Sequence, residues 1–232
     1  MTSRRLALFD LDHTLLPLDS DYQWADFLAR TGRAGDPAVA RARNEELLER
    51  YNSGHLSAEE AAEFMLGLLA AHDPHDLAHW HEQFMQEIIR PSLTPEAIEL
   101  VREHLRSGDL CAIVTATNSF VTAPIARAFG VPHLIATEPQ YAAGRYTGKI
   151  HGTPSFKEGK VKRVHDWLKP MNLKLGDFDQ SHFYSDSIND LPLLETVTHP
   201  VVTNPSPALQ EIAIERQWPV LNLFEKNLDR KS

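Results

Sequence analysis

Four short apolar runs punctuate the chain, and each ends on small polar or acidic residues. Leu6-Ala-Leu-Phe9 is continuously apolar, the pattern of a strand buried on both faces, and leads straight into Asp10-Leu-Asp-His-Thr14. Leu110 to Val114 leads into Thr115-Ala-Thr-Asn118, and the weaker His182-Phe-Tyr184 into Ser185-Asp-Ser-Ile-Asn-Asp190. Pro200-Val-Val-Thr203 ends at Asn204-Pro-Ser-Pro207. Helical patterns lie between these runs. Thr94-Pro95-Glu96 reads as an N-cap, a first-position proline and a first-turn acid; Ile98, Val101 and Leu105 then share a face, and Gly108 is a stop. Further helices are predicted over Val121 to Phe129, closed by Gly130, over Lys157 to Leu168 and over Pro207 to Gln217. Alternating strands and helices imply an α/β domain with a mainly parallel sheet.

Residues from about Pro17 to Ser92 break that rhythm. They show no convincing strand and four helical patterns, near Tyr22 to Ala29, Ala38 to Tyr51, Ala58 to Ala71 and His75 to Ile89. Breaks are expected at Gly32-Arg-Ala-Gly35, Asn52-Ser-Gly54 and Asp73-Pro74. The pattern reads as an all-helical insertion after the first strand. Gly144-Arg-Tyr-Thr-Gly148 between β-prone runs suggests a hairpin.

Composition narrows the classes. A formal net charge of -9 argues against a nucleic-acid binder, which needs a basic face, but not against a small phosphorylated ligand met by a local cation. No apolar stretch approaches the ~20 residues of a membrane span, and the start of the chain lacks an adequate signal-peptide core. The single cysteine, Cys111, sits in an apolar run and reads as a buried, inert thiol. Cytoplasm is the default location. Oligomeric state is not legible.

In open α/β sheets ligands bind beyond the carboxyl ends of the strands. Asp10, Asp12 and Thr14, Thr115 and Thr117, and Asp186 and Asp190 therefore converge on one crevice. Four carboxylates there need a cation or raised pKa values, and an all-oxygen donor set suits magnesium better than zinc. Lys157 and Lys160 offer the positive charge an anionic phosphate requires.

These residues resemble a known family. Phe9-Asp-Leu-Asp-His-Thr-Leu15 is similar to the first motif of the haloacid dehalogenase superfamily, Val114-Thr115 to its second, Lys157 to its third and Ser185-Asp-Ser-Ile-Asn-Asp190 to its fourth, in the right order. The chain looks most like the phosphoserine-phosphatase-like branch, subfamily IB. The resemblance implies a Rossmann-like core from residues 1–16 and 93–232 and a helical cap from 17–92. It also implies that Asp10 is the nucleophile forming an aspartyl-phosphate and that Asp12 is the acid and base. Thr115 and Lys157 would bind the phosphoryl group, with Thr117 and Lys160 as the alternatives. Asp10, Asp12 (through its carbonyl) and Asp186 would hold magnesium, with Thr14, Asn189 and Asp190 in support. Asp19 stands where the branch tends to carry a substrate-recognising Glu. Arg41 and Arg43 could meet a substrate carboxylate, while His55, His72, His75, His79 and His81 read as structural. The expected substrate is a small phosphorylated metabolite, phosphoserine-like or histidinol-phosphate-like. A phosphoryl transferase and a non-enzymatic receiver module are the competing readings.

Overall fold

A computed structural model describes residues 4–52 and 57–224. Strand β1 (Arg5–Phe9) is followed by helices α1 (Ser20–Arg30), α2 (Pro37–Asn52), α3 (Ala58–Ala70) and α4 (Pro74–Phe84), a π-helical turn (Met85–Ile89) and the short α5 (Arg90–Ser92). Then come α6 (Pro95–Arg106), β2 (Leu110–Asn118), α7 (Ser119–Phe129), β3 (His133–Ala142), β4 (Arg145–His151) and α8 (Glu158–Leu168). The chain continues through β5 (Gln180–Ser185), α9 (Leu191–Leu194), β6 (His199–Thr203), α10 (Pro207–Glu215) and β7 (Val220–Leu221). The seven strands lie in the order β4-β3-β2-β1-β5-β6-β7, with every neighbouring pair parallel except β3 and β4.

β1 is central because its whole apolar run is buried on both faces. Ala7 and Phe9 join one core with Cys111, Ile113, Val101 and Val121; Leu6 and Leu8 join the other with Ala112, Val114, Phe183 and Val164. That division follows from the two-residue side-chain period of a strand. β1 pairs with β2 on one side and β5 on the other, Phe9 lying opposite both Ile113 and Tyr184. The loops after these three strands therefore emerge side by side.

Among its described residues the insertion holds helices joined by turns and no strand; Ser53 and Gly54 of the expected second break, and His55, lie outside them. α1, α3 and α4 begin on side-chain caps from Asp19, Ser57 and Asp73. Trp24 and Phe27 of α1 and Phe84 of α4 pack into the same core as Phe9 and Ile113, so the helices share one hydrophobic core with the sheet. The Nε2 of His81, buried, lies 2.9 Å from the Val121 carbonyl and ties α4 to α7. Its part is structural, as the sequence suggested.

Three details differ from the sequence reading. The β3–β4 turn is Ala143-Gly144, both at positive φ, and Gly148 lies inside β4. A Cβ at Gly148 would sit 3.4 Å from the Ala70 Cβ of α3, which packs on this strand. The strand β3 was not foreseen over its length, because Pro139 and the mixed polarity of His133–Ala142 hide it. β7 is too short to announce itself. Among the described residues no helix is long and apolar enough to cross a membrane. Burial pushes the Cys111 thiol up to about 12, which agrees with an inert role.

Behind β1 and β5 runs a buried polar chain. Arg5 Nε lies 3.3 Å from Asp109 Oδ1, His104 Nδ1 2.6 Å from Asp109 Oδ2, and His104 Nε2 2.8 Å from the Tyr184 hydroxyl. The Tyr184 carbonyl in turn accepts the Asp10 N–H at 2.9 Å. Tyr184→Phe should leave the His104 Nε2 unpaired and lower unfolding free energy by about 1–3 kcal/mol, read by denaturant titration. An unchanged midpoint would show that this chain contributes nothing to stability.

Candidate active site

The site begins where β1 stops. After Phe9 the backbone folds into a tight turn in which the N–H groups of Thr14, Leu15 and Leu16 all point to the Leu11 carbonyl. Leu11, Leu15 and Leu16 are buried and anchor the turn, and His13 adopts a positive φ of 58° within it. Asn204, from the loop after β6, donates to the carbonyls of His13 and Thr14 at 3.0 and 3.1 Å. This clamp holds the first motif against the far side of the sheet.

Asp10 Oδ1 accepts from Lys160 Nζ at 2.8 Å, and Asp10 Oδ2 accepts from the Thr14 hydroxyl at 3.0 Å. That hydroxyl also lies 3.2 Å from Asp186 Oδ1 and accepts the Asp186 N–H at 3.1 Å. Thr14 thus joins the nucleophile candidate to the fourth motif. Asp190 Oδ2 accepts from Lys160 Nζ at 2.7 Å and from the Ser185 hydroxyl at 2.6 Å. Asn189 lines the same cavity. Asp12 is turned the other way: Oδ1 accepts the Ser20 N–H at 2.9 Å and Oδ2 the Thr117 hydroxyl at 2.8 Å.

The lysine therefore differs from the one first expected. Lys160, only 2% exposed, bridges the carboxylates, whereas Lys157 is exposed with its ammonium over the Phe156 ring. α8 starts after Lys157, and Gly159 lets its first turn approach so closely that a Cβ there would collide with the Pro154 carbonyl oxygen. Within the first turn of the helix, Lys160 reaches the carboxylates at the strand ends. The Thr117 hydroxyl is committed to Asp12, while Thr115 accepts the Thr117 N–H and lines the cavity with its own proton free to donate.

The charges are unbalanced. Burial lifts the Asp10 carboxyl, and the charge of Lys160 opposes that lift. Asp186 is pushed up to about 8 by burial, then by the charges of Asp10 and Asp190. Burial also raises Asp190 to about 6, against the pull of Lys160. Lys160 loses basicity to burial but regains more from Asp10 and Asp190, so it stays protonated. Asp12 rises to about 6 through burial and the nearby charge of Asp19. One lysine contacts only two of these four carboxylates, and the raised values of the others reflect that shortage of positive charge.

The cavity has a volume of about 580 Å³, and its outer wall comes from the helical insertion. Asp19 caps α1 by accepting the Tyr22 N–H at 2.8 Å and also lines this space. Sequence reasoning missed Asp21, whose Oδ1 accepts from Asn118 Nδ2 at 2.9 Å, and the wall residues Tyr22, Asn44, Phe64 and Met65. Asp21 follows Asp19 at helix-start spacing, a signal that could have found it. Arg41 and Arg43 do not reach the cavity. Arg41 Nε pairs with Asp26 at 3.1 Å, and Arg43 stacks over the Phe64 ring.

Residues 7–195 match the haloacid dehalogenase-like hydrolase family. The chain is 40% identical over 220 residues to a histidinol-phosphatase of Neisseria meningitidis serogroup C (strain 8013), covering 94% of this chain and 99% of that protein. It is similar to a crystal structure of a protein of unknown function from Bordetella pertussis Tohama I, with 73% identity, a TM-score of 0.94, and coverage of 96% and 100%. A substrate-bound phosphoserine phosphatase shares the fold at 18% identity and a TM-score of 0.68, over 95% of this chain and 94% of that one. The chain belongs to the haloacid dehalogenase-like hydrolases, and within them it is a phosphatase. A non-enzymatic receiver module is thereby set aside.

Two lysines three residues apart give a clean contrast. Lys160→Ala should lower kcat by at least about 100-fold, the scale for losing one donor to developing charge, while Lys157→Ala stays within about threefold. Gly159→Ala should resemble Lys160→Ala, because it displaces the helix turn that carries the ammonium. Equal losses in the two lysine variants would refute the assignment.

Proposed function

We propose that the chain is a magnesium-dependent phosphatase that hydrolyses the phosphomonoester of a small amino alcohol, histidinol phosphate or a close analogue, through an aspartyl-phosphate on Asp10. The observation that carries the substrate class is the charge of the cavity. Beyond Lys160 its described lining includes Asp19 and Asp21 and no lysine or arginine. An ammonium group is matched there, its charge favouring ionisation of the Asp21 carboxyl that burial otherwise holds well above the usual carboxylate range; a substrate carboxylate, as in phosphoserine, would meet Asp19 and no lysine or arginine. The similarity to the Neisseria histidinol-phosphatase points the same way.

The donor chemistry fits magnesium. Asp10 and Asp186 present hard oxygens to one place beside the Thr14 hydroxyl, with the Asp12 carbonyl as a third candidate. No cage of three or more His, Cys, Asp or Glu side chains forms among the described residues. Magnesium is commonly held by one or two carboxylates together with water and substrate phosphate. When bound, the ion supplies the missing positive charge for the carboxylates and the phosphoryl oxygens.

The residues of the chain divide the remaining work. An oxygen of Asp10 attacks phosphorus, and the bond from phosphorus to the alcohol oxygen breaks. Asp12, with a carboxyl near 6, gives that oxygen a proton and then takes one from the water that releases phosphate from Asp10. Lys160 and Thr115 bind the phosphoryl oxygens, and Asp190 with Ser185 orients Lys160. Residues 17–92 act as a cap that covers the crevice and reads the leaving alcohol.

Asp10→Asn should abolish turnover and phosphoenzyme formation, and chelation by EDTA should do the same to the wild type until magnesium is restored. Label recovered on any residue but Asp10, or full activity in EDTA, would sink this reading. Phosphate released to water rather than passed to an added alcohol separates hydrolysis from phosphoryl transfer.

Charge recognition has its own test. Histidinol phosphate should be preferred to phosphoserine in kcat/KM by about tenfold or more. Asp19→Asn keeps an equally good helix cap but removes the charge. It should cost histidinol phosphate at least about tenfold more than it costs p-nitrophenyl phosphate. Phosphoserine turned over as well as histidinol phosphate would overturn the amino-alcohol assignment.

A further inference from the structure

Asn44 is 2% exposed in the middle of α2 and lines the cavity. Its Nδ2 donates to the Tyr22 carbonyl at 3.3 Å, which fixes the amide, because only the nitrogen end can face a carbonyl oxygen. The other end, Oδ1, is buried and accepts no hydrogen bond from any described residue. Buried polar atoms are almost always paired, so an orphan in a cavity wall marks a place for a donor from outside the chain.

Its surroundings restrict what that donor is. The rest of the lining that α2 and α3 contribute is apolar: Leu47, Ala61, Ala62, Phe64 and Met65. An ammonium group carries a full charge and is better matched at the carboxylates of Asp19 and Asp21. A neutral amide oxygen among hydrocarbon surfaces suits a neutral N–H on an otherwise apolar, flat group. Resting on the amino-alcohol reading, we infer that Asn44 Oδ1 accepts the ring N–H of a heteroaromatic group on the leaving alcohol, and so selects ring-bearing amino-alcohol phosphates that own such a donor. Asn44 is then a specificity residue, remote from phosphorus.

A site built to receive an N–H discriminates strongly against an analogue that lacks it, because its acceptor is left unpaired. The test compares histidinol phosphate with phenylalaninol phosphate, which keeps the amine and a ring of similar shape but has no ring donor. It is run with magnesium at pH 8, where an imidazole is mainly neutral. The wild type should favour histidinol phosphate in kcat/KM by about tenfold or more. Asn44→Leu, of similar size, should bring that ratio to within about threefold of unity, and Asn44→Asp, which keeps an acceptor oxygen, should preserve the preference. A ratio near one in the wild type, or an unchanged ratio in Asn44→Leu, overturns the inference. If Asn44→Leu does not fold, Asn44→Ala, which also removes the acceptor, takes its place with the same expected ratio and the same overturning result. Equal use of both amino-alcohol phosphates defeats the Asn44 assignment alone. Hydrolysis of p-nitrophenyl phosphate with neither amino-alcohol phosphate used defeats the amino-alcohol reading with it.

Discussion

The contact of Lys160 with Asp10 and Asp190 is the constraint on which the rest of the site depends. Three carboxylates, Asp10, Asp186 and Asp190, crowd the ends of two adjacent strands, and burial makes each of them reluctant to ionise. A single buried ammonium holds two of them in place at hydrogen-bond distance. Removing one partner of such a buried group leaves an uncompensated charge, which costs far more than the pair contributes. Asp186, pushed up to about 8 by burial and by the charges of Asp10 and Asp190, has no ammonium at hydrogen-bond distance among the described residues.

Everything that supports this contact is backbone geometry set by packing. The apolar β1 run places Asp10 at the centre of the sheet, and the Tyr184 carbonyl holds its N–H. The turn after β1 is fixed by Leu11, Leu15 and Leu16 below and by Asn204 from the side. Gly159 allows α8 to start close enough for Lys160 to reach across. The carboxylates differ in role because their neighbours differ. Asp12 is bound by Ser20 and Thr117 and feels the charge of Asp19, so it belongs to the α1 side of the cavity.

The helical insertion closes that side while sharing the core of the sheet. Trp24, Phe27 and Phe84 pack with Phe9 and Ile113, so α1 and α4 are fixed to the catalytic layer. α2 and α3 supply the outer wall with Asn44, Phe64 and Met65. The carboxylate cluster and the outer wall thus come from different stretches of chain that meet at one cavity.

The order of strands and helices, the burial of β1 and the convergence of Asp10, Asp12, Thr14, Thr115, Asp186 and Asp190 were legible in the sequence. Each is local: an apolar run makes a buried strand, and the polar residues that end it must emerge at its carboxyl end. The helices of residues 17–92 were legible for the same reason, through their caps and periodicity. The choice of Lys160 over Lys157, the commitment of Thr117 to Asp12, and the orphaned oxygen of Asn44 were not. Along the chain Lys157 and Lys160 look alike, and Asn44 between Arg43 and Glu45 looks like any polar residue on a helix. Which of them faces the cavity depends on the approach of elements more than a hundred residues apart for Lys160, and on the seating of α2 against α1 for Asn44. Local periodicity fixes a residue's face on its own element; only packing between elements fixes what that face meets.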